Sequence, residues 1–300
     1  MIQYSSIGLE VGTKVNKKIK SIAIYSSKNK EIISQIANQV IEISNYLGVK
    51  VYMPKSSSLK NPFPRSYSDN YIVNNVDMVL SVGGDGTFLS SARRFGSKKI
   101  PILGINLGNV GFLTDIPPDD LTESLKSVFT GNYIQDTRSF IEAKKNNQKN
   151  GSIALNEAVI HSGSIAKLME YELLINDKFV FRQKADGLIV STPTGSTAYS
   201  LSGNGPIIHP KVNAINLVPM FPHDLSARPL VVDENDLVVI RVCSGGVSKL
   251  SLDSHNTFDL KKNDIVKIGK YKNELIIVHP EKHDFFSASR TKLGWSIDKF

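Results

Sequence analysis

The sequence predicts an α/β N-terminal domain followed by a β-rich, sandwich-like C-terminal domain. Three observations carry that reading. Up to about residue 137, short apolar runs alternate with stretches of helical period. Beyond it, two-residue alternation and turn clusters take over. Between the apolar run Asp77–Val82 and a helical pattern over Phe88–Phe95 stands Gly83-Gly84-Asp85-Gly86-Thr87, a sharp strand-to-helix turn holding one carboxylate.

In order along the chain, Ile22–Tyr25 is a short buried strand. Ile32, Ile33, Ile36, Ala37, Val40, Ile41 and Leu47 recur at helical spacing, Gly48 stops them, and Val49–Met53 is the next strand. This makes one βαβ unit with a right-handed crossover. Pro54 and Ser56-Ser57-Ser58 end the strand, and Asn61–Asn70 reads as a loop. After the glycine turn, Ile100–Asn106 is a strand, and Leu121, Leu125, Val128 and Phe129 mark a short amphipathic helix stopped by Gly131. Past residue 137, Ser139–Lys144 is extended and Asn146–Gly151 is a turn cluster. Met169, Tyr171, Leu173 and Ile175 alternate before the turn Asn176-Asp177, and Phe179–Phe181 resumes the extended pattern. Leu237–Val242, Ile265–Ile268 and Leu275–Val278 are further strands. The expected division is 1–137, 138–276, and a tail 277–300 whose Phe285, Phe286, Leu293 and Trp295 pack back on the first domain.

With 300 residues the chain can bury two modest cores, and 41% hydrophobic with 21% charged residues is ordinary for a globular protein. A single cysteine, Cys243, excludes an internal disulfide and a cysteine metal cluster. No apolar run approaches a membrane span, and Met1–Lys20 has no apolar signal segment, so the expected compartment is the cytoplasm, with no membrane partner. The net charge is +8, but the lysines are scattered, as at Lys17-Lys18 and Lys261-Lys262, and no nucleic-acid-binding motif accompanies them. A solvated surface that draws in anionic substrates accounts for the charge better than nucleic acid does.

Four stretches carry chemistry. The first is the glycine turn, where glycines let N–H groups approach a phosphate and the helix start favours an anion. There is no G-x-x-x-x-G-K-[ST] and no G-x-G-x-x-G after a strand, so neither a P-loop nor the common dinucleotide fingerprint is present. Without Asp85, a purely structural turn would be an equal reading. The second is Asn106–Asp115, at the end of a parallel strand where ligands of open α/β sheets bind. Its Phe112 is either a platform for a base or nicotinamide, or a core ring. The third is Asn156-Glu157, an amide and a carboxylate able to take both hydroxyls of a ribose. In a regular strand the two point to opposite faces, so the pair needs a strand end or bulge, and otherwise is an exposed strand pair. The fourth is Asp186–Ser202, a buried strand running into Pro193-Thr194-Gly195 and a hydroxyl-rich opening. Capping by Thr194 or Ser196 accounts for one hydroxyl. The five between Ser191 and Thr197 suit phosphate oxygens or an adenine edge. The histidines show no metal-ligand spacing, and no protein metal ligand is assigned.

These four stretches, in this order, resemble those of NAD kinases. Asn216–Pro229 and Lys292-Leu293-Gly294-Trp295 extend the resemblance to roughly residues 20–296. The first motif is shared with diacylglycerol, sphingosine and phosphofructokinases, whereas Asp186–Ser202 is much more specific. The resemblance implies a site in the cleft between the two domains. It also implies transfer of the terminal phosphoryl group of ATP, with a divalent ion such as Mg²⁺ held mainly by the ATP phosphates, to the 2′-hydroxyl of the adenosine ribose of NAD. Polyphosphate is the alternative donor. Homodimers or homotetramers with the dinucleotide site near a subunit interface are implied too.

Carried over residue by residue, Asp85 orients and deprotonates the 2′-hydroxyl, and Gly84, Gly86 and Thr87 hold donor phosphates through N–H groups. Asn156 and Glu157 take the acceptor ribose. Phe112, Thr197, Ala198, Tyr199 and Ser202 surround the adenosine, and Asp186 meets the nicotinamide end. Two positions depart from the family pattern: Gly203-Asn204-Gly205 replaces a small-Gly-Gly run, and Asp253-Ser254-His255 replaces Asp-Gly-Gln. Two competing functions are a lipid or sugar kinase of the same superfamily, which leaves Asn156-Glu157 and Asp186–Ser202 without a purpose, and a non-catalytic dinucleotide sensor, which has no need of Asp85.

Overall fold

A computed structural model describes residues 12–59, 65–108, 111–163, 167–244, 247–281 and 284–295. Its contacts divide the chain into two compact units, Met1–Thr137 with Leu275–Phe300, and Arg138–Glu274.

The first unit is built on a parallel sheet. Leu275–His279, the last part of the strand Ile265–His279, lies beside Ile102–Ile105; Met78–Val82, Ser21–Tyr25 and Lys50–Tyr52 follow in that order, every pairing parallel. Parallel strands are covered on both faces, which is why Met78–Val82 and Ile102–Ile105 are buried throughout rather than alternating. The helices Glu31–Tyr46 and Leu121–Thr130 send Ile33, Ile36, Val40, Leu125 and Val128 into one cluster with Ile22, Ile24, Leu80 and Ile105. The helix Asp85–Arg94 buries Phe88 and Ala92, and Phe95, just past its end, meets Tyr25 edge-on with ring centroids 5.5 Å apart. Each aliphatic side chain so buried contributes roughly 1.5–3 kcal/mol. Near the carboxyl end, the helix Phe285–Leu293 starts at Asp284, whose carboxylate accepts from the N–H groups of Phe286 and Ser287; Phe285 is buried while Phe286 and Trp295 are exposed.

The second unit is antiparallel throughout. One six-stranded sheet runs Leu230–Asp233, Ala214–Met220, Gly187–Ser191, Glu157–Ser162, Ser248–Leu252, Asn256–Leu260. Against it lie Lys178–Ala185, Met169–Ile175, Val238–Ser244 and the first part of Ile265–His279. Alternate residues of both layers meet in one core, with Ile160, Leu188, Val190 and Leu250 from the first and Tyr171, Leu173, Ile240 and Val266 from the second. That is sandwich packing. The hairpin at Asn176-Asp177 has both φ angles positive, 49° and 63°, as the two-residue turn matching strand twist requires.

Two expectations are corrected. Asn61–Asn70 is not loop to its end, because a helix Asp69–Asn75 begins inside it; residues 61–64 lie outside the described residues. Its three asparagines and single buried residue, Ile72, hid it, and it is held instead by the Ser68 cap to the Tyr71 N–H and by Asn74 and Asn75 amides bonded one turn back. Ile265–Ile268 and Leu275–Val278 are one strand, Ile265–His279. The polar stretch between them stays extended because Lys270 is paired with Glu234 and Glu274, and Tyr271 packs edge-on against Phe140.

Candidate active site

The expected site residues fall on both units. On the first, the strand Met78–Val82 ends at Gly83, whose φ of +151° places it where side chains strain and where a Cβ would overlap Thr87. This glycine serves the turn. Gly84 and Gly86 differ: neither has a positive φ, and a Cβ on either would meet nothing within 4 Å. The fold does not require a bare backbone there. Gly84 caps the helix, Asp85 is its first residue, and the N–H groups of Asp85 and Gly86 precede any i−4 carbonyl of that helix. Bare backbone, first-turn N–H groups and the positive end of the helix dipole are together chemically suited to an anion such as a phosphate.

Thr87 is corrected. Its N–H donates to the Gly84 carbonyl at 2.9 Å, and its hydroxyl is bonded to the Ser27 hydroxyl at 2.9 Å, in a residue 3% exposed. It ties the turn to the segment after Ser21–Tyr25 and has no N–H left for a donor phosphate. Sequence reading missed what that tie brings: Lys28 and Lys30 line the same cavity as Gly83, Gly84, Gly86 and Thr87. The available signal was their place just past the carboxyl end of a parallel strand.

The Asp85 carboxylate is held by the second stretch. Phe112 N–H donates to Oδ2 at 3.2 Å; Leu113 N–H and the Thr114 hydroxyl donate to Oδ1 at 3.3 and 3.4 Å. Gly111 permits this approach, since a Cβ there would overlap Oδ1. Asn106 fixes the supporting loop, giving an amide hydrogen to Thr114 Oγ1 at 3.1 Å and accepting from Gly108 N–H at 2.9 Å. Asn109 and Val110 lie outside the described residues. Phe112 is half-buried, so it is neither a core ring nor a free one. Beneath this loop His279, 1% exposed, bonds Asp115 through Nδ1, with Asp136 Oδ2 3.9 Å from Nε2. No sequence spacing signalled this cluster, because its members come from three distant segments.

On the second unit, Asn156 lies immediately before the strand Glu157–Ser162, so the pair sits at a strand start and escapes the opposite-face rule of a regular strand. The cause is Asp253, at the turn between Ser248–Leu252 and Asn256–Leu260. Its carboxylate accepts the N–H groups of Leu155 at 3.0 Å, Asn156 at 2.9 Å and Glu157 at 3.2 Å, and its own N–H returns to the Glu157 carbonyl at 3.0 Å. Asn156 Oδ1 and Glu157 Oε2 are buried without a hydrogen-bond partner. Burial, and next the charge of Asp253, push the Glu157 carboxyl up to about 8, against a smaller opposing effect of the Tyr199 N–H bonded to it. Glu157 is therefore mostly a neutral acid at pH 7.

Asp186–Ser202 is arranged otherwise than expected. After the strand Gly187–Ser191 come a 3₁₀ turn, Thr194–Thr197, and a helix of only Tyr199–Ser202. The hydroxyls are engaged within the protein. Ser191 reaches the carbonyls of Asn156 and Thr192, Thr192 reaches Leu155, Thr194 accepts from Arg138, Ser196 reaches Pro193 and Ile208, and Thr197 reaches Thr194. They stitch this loop to the Asn156-Glu157 segment instead of awaiting phosphate oxygens. Neither Thr194 nor Ser196 caps; Pro193 stands at the cap position, and Thr192, just before it, accepts from Gly195 N–H at 3.2 Å. The stitching leaves Thr197 and Ala198 half-buried and Tyr199 and Ser202 exposed, with the Tyr199 N–H bonded to Glu157. Asp186 is not brought there. It sits at the other end of Gly187–Ser191, about 17 Å from Ser191 at the ~3.3 Å rise per strand residue.

Residues 13–133 match the family model of the ATP-NAD kinase N-terminal domain, and residues 155–279 match that of the ATP-NAD kinase C-terminal domain. The chain belongs to the NAD kinase family. The NAD kinase of Tolumonas auensis is 37% identical over 294 residues, 95% of this chain and 100% of that one. That of Marinomonas sp. is 47% identical over 224 residues, 73% and 76% of the two chains. Among solved structures, yeast NADH kinase complexed with NADH superposes with a TM-score of 0.80 at 25% identity, over 96% of this chain and 92% of that one. An NAD kinase from Archaeoglobus fulgidus in complex with ATP superposes at 0.70 and 25% identity, over 90% and 98%.

In this member of the NAD kinase family, both departures fall at left-handed backbone, with φ +63° at Asn204 and +45° and +52° at Asp253 and Ser254. Asparagine suits such a position; serine does not. Among the described residues no group of three or more His, Cys, Asp or Glu side chains is arranged to hold a metal ion, and no helix is long and apolar enough to cross a membrane.

Proposed function

We infer that the chain is an ATP-dependent NAD kinase that transfers the terminal phosphoryl group of ATP to the 2′-hydroxyl of the adenosine ribose of NAD, forming NADP. The observation that carries the chemistry is the contrast at the glycine turn. Gly83 is demanded by the backbone, while Gly84 and Gly86 stand bare over open space beside a carboxylate whose direction is locked by three donors.

In this reading the donor phosphates lie on the N–H groups of Gly84, Asp85 and Gly86, with Lys28 and Lys30 balancing their charge. Thr87 supports the cradle from behind. Asp85 accepts the 2′-hydroxyl proton. A carboxylate is a weak base at neutral pH, but a loose phosphoryl-transfer transition state needs little early proton removal, so aim matters more than basicity. The two buried, partnerless oxygens of Asn156 and Glu157 are ready for ribose hydroxyls; a neutral Glu157 can accept from one and donate to the other. Tyr199 offers an exposed ring to the adenine, with Thr197, Ala198 and Ser202 on the same segment, and Phe112 is assigned to the adenosine as well. Asp186, at the far end of its strand, would serve the nicotinamide end of an extended dinucleotide bound in a homodimer or homotetramer. A divalent cation, Mg²⁺ by preference, is carried mainly on the donor phosphates, where it neutralises charge as the phosphoryl group moves. A cytoplasmic setting suits these substrates.

The test is direct. Purified protein with NAD, ATP and Mg²⁺ is expected to form NADP, read through an NADP-specific dehydrogenase, and omission of any one component should abolish it. Folded protein that binds NAD yet forms no NADP would overturn the kinase reading in favour of a sensor.

A further inference from the structure

Asp253 is 8% exposed, and its carboxylate is turned onto the backbone of the residues assigned to the acceptor. We propose that Asp253 is the positioning residue for the acceptor, acting through the Leu155-Asn156-Glu157 backbone it gathers. The proposal rests on the reading of Asn156 and Glu157 as the ribose-binding pair.

Three features support it. First, three consecutive N–H groups converge on one carboxylate, a geometry that a strand cannot adopt while pairing normally; it bends the chain at the point where the strand begins. The return bond from Asp253 N–H to the Glu157 carbonyl closes the arrangement from the other side. Second, the bend has a product: Asn156 Oδ1 and Glu157 Oε2, both buried and both without a protein partner. Buried polar atoms left so are costly, roughly 1–3 kcal/mol each, and a fold retains them where a ligand completes them. Third, Asp253 holds a φ of +45°, sparsely populated for a residue with a side chain, and Ser254 after it holds +52°. The backbone is strained at the place that aims this carboxylate.

The same charge acts on Glu157 through space. Among the described residues Asp253 is the charge that raises its proton affinity beyond what burial does, and the Tyr199 N–H opposes it. Asp253 therefore sets both the position and the protonation of the pair.

The test is Asp253→Asn in the full chain. An asparagine oxygen can keep the Asn156 and Glu157 N–H groups, but its NH₂ faces the Leu155 N–H, and the charge is gone. The expected result is a Kd for NAD by calorimetry about tenfold weaker, a correspondingly higher KM for NAD, KM for ATP unchanged, and the alkaline limb of kcat/KM for NAD moved to lower pH. A merely structural role would lower thermal stability without moving that limb. Unchanged NAD affinity with an unmoved limb overturns the proposal, as does an equal loss for NAD and ATP. Glu157→Gln, with Asp253 intact, provides the second arm: the limb should vanish, and its persistence counts against the pair as the titrating unit. If the unaltered protein binds NAD but makes no NADP, the kinase reading fails while the calorimetric arm still judges Asp253.

Discussion

Replacing Gly86 with alanine should make the protein more stable and a poorer kinase at once. Gly86 is the second residue of the helix Asp85–Arg94, has no positive φ, and a Cβ there would meet nothing within 4 Å. Alanine at such a position restricts the unfolded chain and satisfies helical preference, a gain of about 0.5–1 kcal/mol. For a chain of this size that is a rise in Tm of roughly 1–4 °C. The added methyl, however, occupies the space over the first-turn N–H groups. A phosphate oxygen hydrogen-bonded to those groups would sit about 2.9 Å from nitrogen, and a methyl at van der Waals distance from it displaces it or its neighbour. Loss of one charge-assisted hydrogen bond, about 1.5–3 kcal/mol, corresponds to a roughly 10- to 100-fold fall in kcat/KM for ATP. Calorimetric Kd for NAD should stay within a few-fold, because Asn156 and Glu157 are untouched. The assays are thermal unfolding by circular dichroism and NADP formation at saturating NAD with varied ATP. A Gly86→Ala protein with raised Tm and unchanged KM and kcat for ATP would refute the argument that this space belongs to the donor.

Three further outcomes are expected. Asp85→Asn should lower kcat by roughly 100-fold or more with NAD affinity within a few-fold, since the side chain keeps its shape and loses its basicity; near-normal turnover in folded protein would remove Asp85 from the chemistry. Glu157 is protonated in the folded state up to about pH 8 and ionised above its lower, ordinary value when unfolded, so its contribution to stability is whole in acid and is lost as pH rises through about 8. Glu157→Gln should accordingly match the parent Tm near pH 4 and exceed it at pH 9, and parallel Tm curves across that range would contradict the burial assigned to Glu157. Ser254→Gly should raise stability by up to about 1 kcal/mol, because glycine relieves the φ of +52° at a modest cost in chain entropy; a lower Tm would show that the serine side chain compensates for its strain.

Much of the first unit was legible because its signals are local. Apolar strands, the Ile33–Val40 period and the glycine stops at Gly48 and Gly131 each describe their own segment. The helix Asp69–Asn75 was not, since its stability comes from Ser68 and asparagine side chains bonding nearby backbone, interactions with no hydrophobic period. The hydroxyl-rich stretch shows the opposite failure: composition announced five polar groups but not their partners, and for Ser191 and Thr192 those include carbonyls of Asn156 and Leu155, far away in sequence.

By itself the sequence determined the order of elements, the change from helical to two-residue periodicity, the glycine turn with its single carboxylate, and the resemblance that named the family. Only the tertiary structure decided what each polar group answers to. It assigned Gly83 to the backbone and left Gly84 and Gly86 facing open space. It turned Thr87 toward Ser27, and it brought Asp253 onto three N–H groups nearly a hundred residues earlier. Periodicity records which side of an element faces a core, and that survives in one dimension. Hydrogen-bond partnership and the electrostatic field at a carboxylate depend on distances between segments, and those exist only once the chain has folded.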